Sequence, residues 1–181
     1  MKNDLQKMLK YNHIDLSNLS YLQRIILITD GTLTDILEAY LLEHIQVLKI
    51  SEKVEVTTQE IPILELEQGS EIINRKIFLQ GENSRKNLLY AESKIVLGRL
   101  DKDFKNGLLK SKTPIGHLWF QFRLETFKEI IESGKEPANE LSAYFIDTEP
   151  KDQLLFRTYR VFSNRKPIMM ITEKFPQSYF M

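Results

Sequence analysis

Cysteine is absent from all 181 residues, which excludes disulfides, thiolate nucleophiles and cysteine-based zinc or iron–sulfur centres. Excess charge is absent too. Lysine plus arginine and aspartate plus glutamate number 25 each, for a formal net charge of zero. With no block of like charge to create a local field, nucleic acid is not an expected partner. Long apolar runs are missing: stretches such as Ile25 to Ile28 fall far short of the ~20 residues that a membrane helix needs, so no membrane is expected either. The N-terminal MKNDLQKMLKYNHIDLSN has neither the apolar core of a signal peptide nor the acid-free character of a transit peptide, and predicts a soluble protein used where it is made. There is no P-loop or Gly-rich dinucleotide fingerprint. His13, His44 and His117 lack metal-ligand spacing, and no nucleophile–histidine–acid set is visible.

What the chain does contain is enough for one ordinary domain, residues 1–181, with a sizeable core. Asn3 to Tyr11 reads as a short amphipathic helix, and Leu16 to Ile28 as a second helical or mixed segment. Asp30-Gly31 then breaks the pattern, and Thr32 with Asp35 resembles a capping box opening a helix over Leu33 to Glu43. A basic recognition helix would be needed for a DNA-binding elbow; Asp35, Glu38 and Glu43 make this one acidic. His44 to Ile63 predicts a long strand or two, with a bend near Ser51-Glu52, and Ile72 to Gln80 and Leu88 to Gly98 predict strands flanking a turn at Gly81 to Ser84. Leu100 to Lys110 is a helix candidate broken by Gly107. Thr113 and Pro114 suit the N-cap and first position of another helix, and Leu124 to Ser133 reads as a further amphipathic helix stopped at Gly134. Glu136 to Asp152 is a loop-rich link, and Arg157 to Pro176 is a hairpin turning at Ser163 to Lys166. Hairpin-linked strands with helices clustered between them make the class α+β with an antiparallel sheet.

Two charges stand out against the period-two pattern. Ile73, Arg75, Ile77 and Leu79 share one strand face, and Met169, Ile171, Glu173 and Phe175 share another. A cation and a carboxylate thus interrupt two apolar rows. An unpaired buried ion costs several kcal/mol or more, so each needs a counter-charge, water or a ligand. The pattern admits a structural ion pair, or a polar pocket between sheet and helices with the cation at one end and the carboxylate at the other.

Four stretches in this order, TDGTLT (Thr29 to Thr34), NRKIFL (Asn74 to Leu79), KTPIG (Lys112 to Gly116) and PIMMITEKFP (Pro167 to Pro176), resemble the chorismate lyase family, in particular its cyanobacterial and red-algal plastid branch. That resemblance implies a single antiparallel sheet with helical flaps over a buried site, and cleavage of chorismate to 4-hydroxybenzoate and pyruvate without metal or organic cofactor. It implies that Arg75 holds the ring carboxylate, that Glu173 contacts the oxygenated end of the ring, and that Leu33, Ile115 and Gly116 belong to flaps and pocket lining. It also implies a small-molecule substrate, a monomer or weak homo-oligomer, and the plastid stroma if the gene is organellar or the cytoplasm otherwise. The chain departs from the bacterial pattern, which has methionine where Leu33 stands, leucine where Ile115 stands, and one residue fewer between the final-strand proline and the glutamate. The extra residue predicts a β-bulge between Pro167 and Glu173. The same fold serves, by resemblance, in effector-binding domains of bacterial transcription regulators, so a non-catalytic aromatic-acid binding protein is the alternative. Neither Arg157 nor Arg160, on opposite faces of their strand, is singled out as the donor for the second carboxylate of chorismate.

Overall fold

The structure, a computed structural model, describes residues 14, 16–110 and 113–181; the helix expected over Asn3 to Tyr11 lies outside them. Six strands form one antiparallel sheet: β1 (Ile45–Val56), β2 (Glu71–Gly81), β3 (Asn87–Val96), β4 (Phe127–Pro137), β5 (Gln153–Ser163) and β6 (Lys166–Pro176). Their spatial order is β1-β2-β3-β6-β5-β4, so two three-stranded meanders meet at the β3–β6 pair. The α-helices among the described residues are α1 (Tyr21–Ile28), α2 (Leu33–Leu41), α3 (Lys102–Lys110) and α4 (Ile115–Gln121). The α+β expectation is met.

Local chemistry explains where the helices begin and end. Ser20 caps α1 through a full capping box: its hydroxyl accepts from the Gln23 amide, and its own amide donates to the Gln23 side chain. The buried Gln23 also donates to the carbonyls of Gln177 and Tyr179, fastening α1 to the end of the chain. Thr32 does occupy the N-cap of α2, but its side chain makes no capping bond. That helix stops at Leu41, short of Glu43, because Leu42 turns left-handed and the Glu43 carboxylate instead accepts from Asn83 and Ser84 at the β2–β3 turn. Gly107 does not break α3. A Cβ there would lie 2.7 Å from the Phe122 ring, so the glycine serves close packing of α3 on the segment after α4. At α4 the N-cap is Pro114 rather than Thr113, and the helix opens at Ile115.

One element differs in kind. The segment expected as a helix over Leu124 to Ser133 is mostly the edge strand β4, with a bulge between Ile130 and Glu132. The bulge sets Ile130 and Ile131 next to each other and breaks strict alternation, which leaves Leu124, Phe127 and Ile131 at helix-like spacing. Two further bulges match the expected irregularities. One falls between Lys49 and Ser51 in β1, and one between Pro167 and Met169, opposite Val161 and Phe162.

The helices cover one face of the sheet in two groups. Leu27, Leu33 and Leu37 of α1 and α2 pack with Val47, Leu79 and Phe175 in one apolar cluster, while Phe104, Leu108, Leu118 and Trp119 of α3 and α4 pack with Tyr159, Met169 and Ile171 in another. The starts of α2 and α4 meet over the seam between these clusters, and the site lies beneath them. No described helix is long and apolar enough to cross a membrane.

Candidate functional site

Two neighbouring rows across the sheet carry the polar groups. In the first, Glu52, Arg75, Ser93, Ile171 and Tyr159 stand side by side on β1, β2, β3, β6 and β5. In the second, Ile77, Ala91, Glu173 and Arg157 follow in the same direction. With strands ~4.8 Å apart, Arg75 and Glu173 are separated by roughly 10 Å across the sheet and offset by one row, which leaves room for one six-membered ring between their side chains. Both face the same pocket, which contains about 560 Å³ of atom-free space including its mouth.

Arg75 is 1% exposed. Its Nε lies 3.4 Å from Glu52 Oε2, yet none of its three nitrogens has a hydrogen-bond partner among the described residues. Burial lowers its pKa, and the nearby Glu52 charge only partly offsets that. A buried guanidinium with idle donors is costly to the fold and poised for a planar anion. Glu52 reaches Arg75 only because of the β1 bulge: one extra residue at Ile50 shifts the parity, so that Glu52 rather than Ser51 shares the Arg75 face. Its other oxygen accepts from Lys49 at 3.1 Å.

Glu173 is held very differently. Arg157 Nε donates to its Oε2 at 2.6 Å, and the Tyr159 hydroxyl donates to its Oε1 at 3.0 Å. Arg157 in turn donates through Nη1 to the carbonyls of Ile26, at 2.5 Å, and Thr29, at 2.9 Å. It thereby caps the end of α1 and fixes the turn leading into α2. Burial alone would lower the Arg157 pKa, but Glu173 and Tyr159 outweigh it and hold the guanidinium above its ordinary value. The Tyr159 phenol is pushed well up, first by burial and then by the Glu173 charge. Arg160 takes no part: on the other face of β5 it donates to Glu129 and to the Ile63 carbonyl.

The roof comes from the two helix starts. Leu33 and Thr34 of α2 and Ile115 and Gly116 of α4 line the pocket opposite the sheet. A Cβ on Gly116 would lie 2.2 Å from Thr32 Cγ2, so only glycine allows the two flaps to close against each other here. Trp119 forms a side wall, and its indole Nε1 is buried without a partner among the described residues. Lys128 of β4 completes that wall, with its Nζ 4.8 Å from the Trp119 ring centre and 2.9 Å from the Gly31 carbonyl.

All five residues singled out in the sequence, Arg75, Glu173, Leu33, Ile115 and Gly116, therefore line one pocket. Sequence reasoning missed Glu52, Tyr159, Trp119 and Lys128. The β1 bulge hid Glu52 by shifting parity, and Lys128 lay in the segment expected as a helix. Tyr159 was recoverable, since it alternates with Arg157 on the strand preceding Glu173. His117 joins Asp35 and Glu38 in a cluster at the surface of the flaps, with His117 Nε2 3.2 Å from Asp35 Oδ1; it does not line the pocket.

A single antiparallel sheet roofed by helices over a pocket defines the class: this is the fold of the effector domain of PhnF from Mycobacterium smegmatis. The TM-score is 0.63 at 9% identity, covering 82% of this chain and 90% of that one. The ligand-binding domain of a putative GntR-family transcriptional regulator from Bordetella bronchiseptica shares it at a TM-score of 0.54 and 15% identity, over 74% and 83% of the two chains. Within that class the chain belongs to the Rv2949c-like chorismate pyruvate-lyase family, whose model matches residues 27–180. It is 33% identical to the chorismate pyruvate-lyase of Mycobacterium leprae over 87% of this chain and 75% of that protein. With the chorismate pyruvate-lyase of Mycobacterium tuberculosis the identity is 28%, over 87% and 80%. These relatives are mycobacterial, so the likeness to a plastid branch rests on the four sequence motifs alone.

Proposed function

We propose that the protein is a chorismate lyase that converts chorismate to 4-hydroxybenzoate and pyruvate in the pocket between Arg75 and Glu173. One observation carries the reading: a buried guanidinium with no hydrogen-bond partner among the described residues and a buried, positioned carboxylate face each other across one pocket. Membership of the chorismate pyruvate-lyase family supports it.

In this reading Arg75 grips the ring carboxylate through its planar fork, and Ile77, Ala91 and Ile171 seat the ring. The oxygenated end of the ring then falls at Glu173. Arg157 and Tyr159 fix the carboxylate in one rotamer, and its remaining lone pairs accept from the ring hydroxyl. As the C–O bond of the enolpyruvyl ether breaks, Glu173 takes the proton from the hydroxyl-bearing carbon. The electron pair of that C–H bond completes the aromatic ring, and the departing enolpyruvate gains a proton to become pyruvate. Aromatisation drives the step, so the protein's work is to hold one reactive conformer, exclude water and move one proton. The reaction requires neither metal nor organic cofactor.

The rival reading is a binding module, favoured by the effector domains that share the fold. The residue that separates the two is Glu173. Incubation of the protein with chorismate, with both products followed by chromatography, is expected to give equal amounts of 4-hydroxybenzoate and pyruvate. Glu173→Gln is expected to lose both while still binding 4-hydroxybenzoate. Intact chorismate with undiminished 4-hydroxybenzoate binding by the wild-type protein would support the binding module instead.

A further inference from the structure

The second carboxylate of the substrate finds no partner in Arg75 or Glu173, and the far wall of the pocket supplies one. Lys128 lies on β4, at the opposite end of the sheet from β2 and Arg75. Its cross-strand partner Val161 is fully buried, and its ammonium is carried inward past the Tyr159 ring, 5.7 Å away, to the Trp119 ring. Among the described residues it donates one hydrogen bond, to the Gly31 carbonyl, leaving two N–H donors of the ammonium for other partners. Beside it stands the buried Trp119 indole, whose N–H has no acceptor among the described residues. Lys128, Thr32, Gly116 and Trp119 line both the inner pocket and a shallower recess outside it, bounded by Asp30, Asp35 and Arg123. Lys128 thus stands at the doorway between the two, on the side of Tyr159 and Glu173 where the ether arm of chorismate emerges.

We propose that Lys128, with Trp119 beside it, forms a second anion subsite that receives the carboxylate of the enolpyruvyl arm and makes the pocket selective for a dicarboxylate over a monocarboxylate. This rests on the lyase reading of the same pocket. The subsite places the leaving group at the doorway, so that enolpyruvate departs outward while the aromatic acid stays on Arg75. The environment agrees with a cation held for an anion: burial lowers the Lys128 pKa to about 8, against the opposing pull of Glu173, Asp30 and Asp35.

The test compares wild type, Lys128→Met and Lys128→Arg by the KM for chorismate, read from pyruvate release, and the Ki of 4-hydroxybenzoate as a product inhibitor. The subsite predicts a KM at least about tenfold higher in Lys128→Met, the size expected for one charge-assisted hydrogen bond, with Ki within about twofold of wild type and KM largely restored by Lys128→Arg. If Lys128 merely clamps the Gly31 turn, KM and Ki rise together in Lys128→Met; that result, or no change in either, overturns the proposal. If wild type releases no pyruvate, the lyase reading fails on its own account. Chorismate then survives, and calorimetric Kd values for chorismate and 4-hydroxybenzoate in the same three proteins test the subsite directly. Weaker chorismate binding by Lys128→Met with 4-hydroxybenzoate binding unchanged supports it, and parallel loss or no loss overturns it.

Discussion

Arg75 and Arg157 are equally buried, at 1% exposure, but chemistry separates them. Arg157 meets a carboxylate and two main-chain carbonyls, so removing it strands Glu173 and the end of α1. Arg157→Met is expected to cost about 3–5 kcal/mol, the usual penalty for breaking a buried pair, and to lower the melting temperature by on the order of 10 °C for a chain of this size, read by calorimetry. Lys128 gives a pH signature. Its ammonium, facing Glu173, Arg157, Asp30 and Asp35 and lowered to about 8 by burial, is charged below that pH and neutral above it. The KM for chorismate should therefore rise as pH passes through about 8 while the Ki of 4-hydroxybenzoate stays level; parallel curves would contradict the role given to Lys128. Arg75 and Glu173 were legible in the sequence because a charge inside a period-two apolar row has few innocent explanations. Arg157 was not assignable, since its strand offers arginines on both faces and only the tertiary structure shows which one Glu173 meets.

At the scale of elements, the site depends on bulges and on one tight flap contact. The bulges in β1 and β6 each precede a charged residue, Glu52 beside Arg75 and Glu173 in the pocket wall, and set the face on which it emerges. Such shifts defeat a reading by strict alternation, and this is why Glu52 escaped notice and why the β4 segment resembled a helix. Helix starts were easier, since capping residues and glycines mark them locally; what they touch was not visible. Gly116 shows the difference. A methyl group there meets Thr32 Cγ2, so Gly116→Ala is expected to wedge the flaps apart, raise the KM for chorismate at least several-fold and cost about 1–3 kcal/mol as overpacking does. Adding Thr32→Ser, which removes the obstructing methyl, should restore KM in steady-state assays. Failure of that rescue would mean that the two flaps are not held by this contact.

For the whole molecule, the decisive feature is the β3–β6 pairing that joins the two meanders. Hairpins can be read from turns, and the α+β class followed from them, but this junction pairs strands far apart in the chain and leaves no local mark. It alone brings the Arg75 half and the Glu173 half into one site. The fold also carries the cost of a cation whose donors are unmet among the described residues, a burden expected of a ligand site and not of a structural ion pair. Melting curves of Arg75→Met and wild type, with and without 4-hydroxybenzoate, test that claim most directly. Methionine fills similar space without charge, and Glu52 keeps Lys49 as a partner. The variant should therefore melt close to wild type, losing far less than the about 3–5 kcal/mol that breaking a buried pair costs. The ligand should raise the melting temperature of wild type but not that of Arg75→Met. A variant that melts far below wild type, beside a wild type that 4-hydroxybenzoate does not protect, would make Arg75 a structural residue and contradict the account.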